Sequence, residues 1–98
     1  MRTLTVRYAA DEDLPAVRAL AAASHLSSSV VRERRLIVLD DEAGRIIAAA
    51  TFTIDDRAGH LSMLAVAPDV DDRREVEHRM IGVIEAICEA YGVTLRAA

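Results

Sequence analysis

The sequence predicts a small α/β domain built on a mixed β-sheet, and three observations carry that reading. In the last third of the chain, a stretch of helical period lies between two short runs of strand character, the pattern of a strand–helix–strand crossover. Three more runs of strand character precede it, the later ones joined by polar turns containing Asp and Gly. The composition is 52% apolar and 29% charged with four Gly and two Pro in 98 residues, which suits one packed domain and excludes a disordered or collagen-like chain. Residues 1–98 are therefore read as a single domain.

The elements follow in order. Residues 3–8 alternate with period two, Leu4 and Val6 on one face and Thr3, Thr5 and Arg7 on the other, as in a strand with one face buried. Asp11, Glu12 and Asp13 then precede Leu14 and Pro15. Asp11 is the expected N-cap of a helix whose apolar positions are Leu14, Val17, Leu20 and Ala21, running to about Ala23. His25 and Ser27, Ser28 and Ser29 break the pattern, and residues 30–34 are expected to form a short second helix. Leu36, Ile37, Val38 and Leu39 read as a buried strand, and residues 40–45 as a turn in which Gly44 supplies a positive φ. Residues 46–54 return antiparallel. A second turn over residues 55–59, including Gly59, leads to a strand over residues 60–67 stopped by Pro68.

The long helix that follows has one apolar stripe, Val76, Met80, Val83, Ile84, Ile87, Cys88 and Tyr91, at steps of three and four. Asp72 with Glu75 reads as a capping box, Glu75 with Arg79 as an i,i+4 ion pair, and Gly92 as the C′ glycine. Residues 93–96 resume a strand, parallel to its predecessor because a packed helix joins the two.

Composition also narrows the chemistry. The net charge of −4 opposes a general nucleic-acid footprint. No apolar run approaches the ~20 residues of a membrane span. The N-terminus alternates where a signal peptide has an apolar block, so a cytoplasmic location is expected. All twelve basic residues are Arg, which removes Schiff-base chemistry and a P-loop lysine. The one cysteine, Cys88, reads as a buried core thiol. His25 with its neighbouring serines lacks the elbow of a hydrolase. His78 has Arg74 and Gly82 at i±4 in place of a second ligand, so no metal site is expected. His60, with Ser62 two residues on along the same strand face, is the remaining acid–base candidate.

A strand and helix opening with Thr5-Val6-Arg7-Tyr8-Ala9 and Asp13-Leu14-Pro15-Ala16-Val17, then a meander, then Leu64-Ala65-Val66-Ala67-Pro68-Asp69, and a helix ending in Ala90-Tyr91-Gly92-Val93, resembles the GCN5-related N-acetyltransferase (GNAT) family. The resemblance covers nearly the whole chain and about the first two-thirds of a usual domain of that family, without its last helix and two last strands. It implies a GNAT-like mixed sheet, acetyl-CoA or CoA as cofactor, and transfer of an acyl group to an amine. On this resemblance, the backbone of Ala65, Val66 and Ala67 pairs with the pantetheine arm. Arg73 and Arg74 sit beside the pyrophosphate, and His60 and Ser62 are the candidate catalytic residues.

The family's phosphate-binding motif is Gln/Arg-x-x-Gly-x-Gly/Ala, whose glycines let backbone N–H groups approach the pyrophosphate. In this chain, allowing one extra residue, Asp72 stands in place of the leading residue and Glu75 and Glu77 in place of the glycines. Five carboxylates, Asp69, Asp71, Asp72, Glu75 and Glu77, flank the position. The function expected from that loop is a degenerate GNAT-like protein acting as a binding or assembly module without efficient catalysis. The alternative is an active acyl-CoA-dependent N-acyltransferase, on a small amine or a protein amine, with an unusual cofactor loop. A sheet edge exposed at the last strand is expected to make a homodimer or to take a protein partner.

Overall fold

A computed structural model of the chain describes residues 4–23 and 35–96. Its elements are strand β1 (Thr5–Tyr8), a 3₁₀ turn (Asp11–Asp13), helix α1 (Leu14–Ala23), strands β2 (Arg35–Asp40), β3 (Ile46–Ile54) and β4 (Ala58–Val66), helix α2 (Arg73–Ala90) and strand β5 (Thr94–Arg96). The strands form one sheet in the order β1-β2-β3-β4-β5. Neighbours are antiparallel except β4 and β5, which run parallel across the α2 crossover. The short helix expected over residues 30–34, and His25 with its serines, lie outside the described residues.

Helices cover both faces of the sheet. Ile37, Val38 and Leu39 on β2 and the run from Ile47 to Phe52 on β3 are buried without alternation, which requires cover above and below. α1 packs on β3 and β4 through Val17, Leu20 and Ala21, and α2 on β4, β5 and β3 through Val76, Met80, Ile84 and Cys88. Ala48, Ala49 and Ala50 are fully buried at the centre, and their small side chains let the helices lie close to the strand. Among the described residues no helix is long and apolar enough to cross a membrane.

Four local expectations are corrected. Asp11 is not the N-cap: Ala10, extended at φ −97° and ψ 166°, occupies that position, and Asp13 reaches back to accept the Ala10 N–H at 2.7 Å. Asp72 does occupy the N-cap of α2, but at φ −102° and ψ 55° its side chain makes no cap bond, because that ψ departs from the extended geometry that aims a cap oxygen at the first-turn amides. The i,i+4 pair on α2 is Arg73 with Glu77 at 3.0 Å, while Arg79 points to the Leu4 carbonyl at 3.5 Å. Gly59 lies inside β4, not in the turn, and its missing Cβ makes room for the Cys88 side chain. Gly44 and Gly92, by contrast, have the positive φ expected of them, 81° and 77°.

Candidate functional site

Among the described residues, the order of the sheet leaves part of the outer side of β4 open. β4 pairs with β5 only over Ala58↔Thr94, Gly59↔Leu95 and His60↔Arg96. From Met63 to Val66 no described residue pairs with the outer side of β4, which then runs by way of Pro68 to the N-terminus of α2. This open stretch spans roughly 10 Å between Met63 and Val66 at the usual rise of a strand. Its polarity follows from the ladder. The N–H of Ala67 donates to the Ile47 carbonyl at 2.8 Å, so by antiparallel alternation Ala65 also addresses β3, and the N–H and C=O groups of Val66 and Leu64 turn outward. The Ala67 carbonyl accepts the Val70 N–H at 3.1 Å. Of the three residues proposed from sequence for the pantetheine arm, Val66 thus presents its backbone to the open side, and Leu64 joins it.

A β-bulge lies on the same edge. Thr51 pairs with Met63 and Phe52 with Leu61, which leaves Ser62 as the extra residue of β4. The bulge also removes the period-two argument that placed Ser62 under His60. Thr51 and Thr53 share a face of β3, so their partners Met63 and His60 share a face of β4.

At the lower end of the edge, His60 is held from the preceding turn. Its Nε2 lies 3.1 Å from Asp55 Oδ2, and Asp55 Oδ1 accepts the N–H of Arg57 at 2.8 Å and of Ala58 at 2.9 Å. These two backbone bonds, and then His60, hold the Asp55 carboxyl below its usual range. Sequence reading found His60 and missed Asp55; the available signal was an Asp opening a tight turn five residues before a His on the returning strand.

At the upper end, the charge of the loop before α2 is smaller than the sequence suggests. Asp69 is taken by Arg45 through two bonds of 2.8 Å, which lower its pKa. Arg73 is engaged by Glu77. Asp71, Asp72 and Glu75 remain exposed beside it in sequence, as does Arg74, which has no ion-pair partner among the described residues. Asp72 makes no cap bond, and among the described residues no side chain accepts from the first-turn N–H groups of α2, the condition under which a helix N-terminus receives an anion.

The remaining singled-out residues lie apart. Cys88 is fully buried, and burial pushes its thiol pKa up. Tyr91 was expected to extend the apolar stripe, yet it is 57% exposed, with the Arg35 guanidinium 4.8 Å from its ring centroid. It sits one residue past the end of α2, where the helical face no longer points at the sheet. His78 is exposed, and among the described residues no group of three His, Cys, Asp or Glu side chains converges to hold a metal.

No family model and no curated protein matches the sequence. Solved structures do match. The chain superposes on the GNAT family N-acetyltransferase YhbS of Escherichia coli, solved in complex with CoA, with TM-score 0.80 at 16% identity over 95% of this chain and 60% of that one. It matches the ribosomal-protein-S18-alanine N-acetyltransferase of E. coli with TM-score 0.77 at 21% identity over 93% of this chain and 63% of that one. The aminoglycoside 6′-N-acetyltransferase AAC(6′)-Ih of Acinetobacter baumannii gives TM-score 0.76 at 14% identity, over 97% and 78% of the two chains. The chain thus spans a little under two-thirds of the length of the first two proteins. At these identities the likeness concerns architecture: the five-stranded mixed sheet and its two helices have the fold of the GNAT N-acetyltransferases.

Proposed function

We propose that the chain binds an acyl-CoA along the open edge of β4 and takes part in acyl transfer to an amine. The observation that carries this reading is the outward backbone of Leu64 and Val66, which no described residue pairs, leading into a helix N-terminus whose N-cap side chain makes no cap bond, within a fold that in YhbS was solved with CoA. The outward amide and carbonyl of Val66 and Leu64 suit the amides of a pantetheine arm. The first-turn N–H groups of α2, with Arg74 beside them, suit the pyrophosphate. A cofactor laid in that direction brings its thioester toward the bulge at Ser62 and the imidazole of His60. His60 then takes the proton that the acceptor amine loses as its nitrogen attacks the thioester carbonyl. This reading puts the protein in the cytoplasm, where CoA thioesters are available.

Thermal denaturation with CoA tests it. A ligand that binds only the folded state at a hundredfold excess over its Kd stabilises by about 2.7 kcal/mol, which raises the midpoint of a domain this size by ~10 °C or more. An unmoved midpoint at millimolar CoA sinks the proposal.

The second reading is a binding or assembly module with a degenerate cofactor loop. It is favoured by Asp71, Asp72 and Glu75, which stay unneutralised beside the phosphate position, and by side chains where close backbone approach needs glycine. The exposed outer edge of β5 and the open stretch of β4 then serve to pair with a second copy or another protein by strand addition.

A further inference from the structure

The turn before β4 carries a device that core stability does not need. Asp55 and His60 are 59% and 48% exposed, and a pair so wet adds little to folding. Yet the geometry is tightly specified. Asp55 Oδ1 is committed to the N–H groups of Arg57 and Ala58, and the Asp55 N–H donates to the Ala58 carbonyl at 3.0 Å. The carboxylate therefore cannot rotate without breaking the turn, and Oδ2 is left aimed at His60 Nε2. An ionised carboxylate only accepts hydrogen bonds, so Nε2 must donate, and the lone pair of the neutral ring is placed on Nδ1. Among the described residues the last rung of the β4–β5 ladder is His60↔Arg96, so His60 stands at the end of that ladder, on the strand that leads to Leu64 and Val66.

We infer that Asp55 is a positioning residue that fixes His60 in the Nε2–H tautomer, so that Nδ1 is the base of acyl transfer. The inference rests on the acyl-transfer reading above and adds to it the residue that orients the base. In the step, the amine nitrogen forms the new C–N bond at the thioester carbonyl and its proton passes to Nδ1. The C–S bond then breaks, and the departing thiolate takes up that proton, so that acyl-CoA and amine become amide and CoA with no other reactant.

The test compares the wild-type protein with Asp55→Asn and Asp56→Asn. Asn at position 55 keeps an oxygen for the Arg57 and Ala58 amides but turns an NH₂ group toward Nε2, which reverses the tautomer without removing the turn. Long-range ¹H–¹⁵N spectra of the His60 ring above neutral pH are expected to show Nε2–H in the wild type and in Asp56→Asn, and Nδ1–H in Asp55→Asn. With acetyl-CoA and ethylenediamine as probes, kcat is expected to fall about 10²-fold or more in Asp55→Asn, with KM for acetyl-CoA unchanged. An Nδ1–H tautomer in the wild type, an unchanged tautomer in Asp55→Asn, or an equal loss of turnover in Asp56→Asn overturns the inference. The midpoint shift with CoA, measured on the same three proteins, reports on the acyl-CoA reading separately. A wild type that CoA does not stabilise defeats that reading, and with it the catalytic role of Asp55, even where the tautomers are as expected.

Discussion

Single residues at the start of the chain show how one carboxylate serves several elements. Asp13 is nearly buried. It accepts the Ala10 N–H and bonds Arg7 at 2.7 Å and 3.1 Å, while Arg7 also holds Asp40 of β2 at 2.7 Å. The Arg7 guanidinium, and then the Ala10 amide, lower the Asp13 pKa from the ordinary 3.8 to about 2. A carboxyl with a depressed folded pKa contributes stability that is full above its unfolded value and is lost as pH falls through the folded one. The domain is therefore expected to lose stability from about pH 4 down to about pH 2, and Asp13→Asn to flatten that part of the profile while lowering the midpoint at neutral pH. Thermal melts across that range check it; a variant with the wild-type acid profile contradicts the assignment. Both residues were visible in the sequence as strand and helix-start features. That a side chain on β1 reaches both Asp13 and Asp40 was not, because Asp40 is far along the chain and meets Arg7 only when β2 pairs with β1.

At the scale of elements, the seat of α2 on β4 depends on one small residue. A Cβ at Gly59 would collide with the Cys88 sulfur, so the helix lies as close to the strand as glycine permits. Gly59→Ala is expected to cost roughly 1–3 kcal/mol, as overpacking does. Cys88→Ala in the same chain removes the sulfur and should recover part of that, an interaction energy of about 0.5–3 kcal/mol between two touching residues. Urea denaturation of both single variants and the double variant measures it. Additive effects mean that the two residues do not constrain each other. The stripe on α2 was legible because helical period and burial agree at Val76, Met80, Ile84 and Cys88. Gly59 was misread as a turn residue because glycine marks turns in sequence, whereas this one marks a close approach between elements.

For the whole molecule, the open edges of the sheet dominate. Natural edge strands are shortened, charged or covered, and Met63 to Val66 on β4, just past the bulge at Ser62, carry no charged side chain. If no cofactor covers this edge, a second copy is expected to. Light scattering at high micromolar concentration should then give a homodimer in the absence of CoA, and CoA should shift it toward monomer where the two compete for β4. A clean monomer without CoA counts against the assembly reading. The expected dimer and the expected cofactor thus draw on the same backbone groups, which makes the two experiments informative about each other.

What the sequence determined by itself is the order of the described strands and helices, since binary pattern and turn residues are local: β3 begins and ends where the two polar turns place it, and the α2 crossover follows from helix length and the parallel neighbours it joins. It also placed His60 on β4, and the helix start beside Arg73 and Arg74. The tertiary structure decided which groups face one another. The bulge that makes Ser62 the extra residue, the ladder that turns Val66 outward and Ala65 inward, the Arg45 that neutralises Asp69 and the Asp55 that orients His60 all depend on register between strands or on turns closing in space. Register is a property of pairs of strands, and one residue of slip reverses every face. A periodic pattern read along one strand does not contain it.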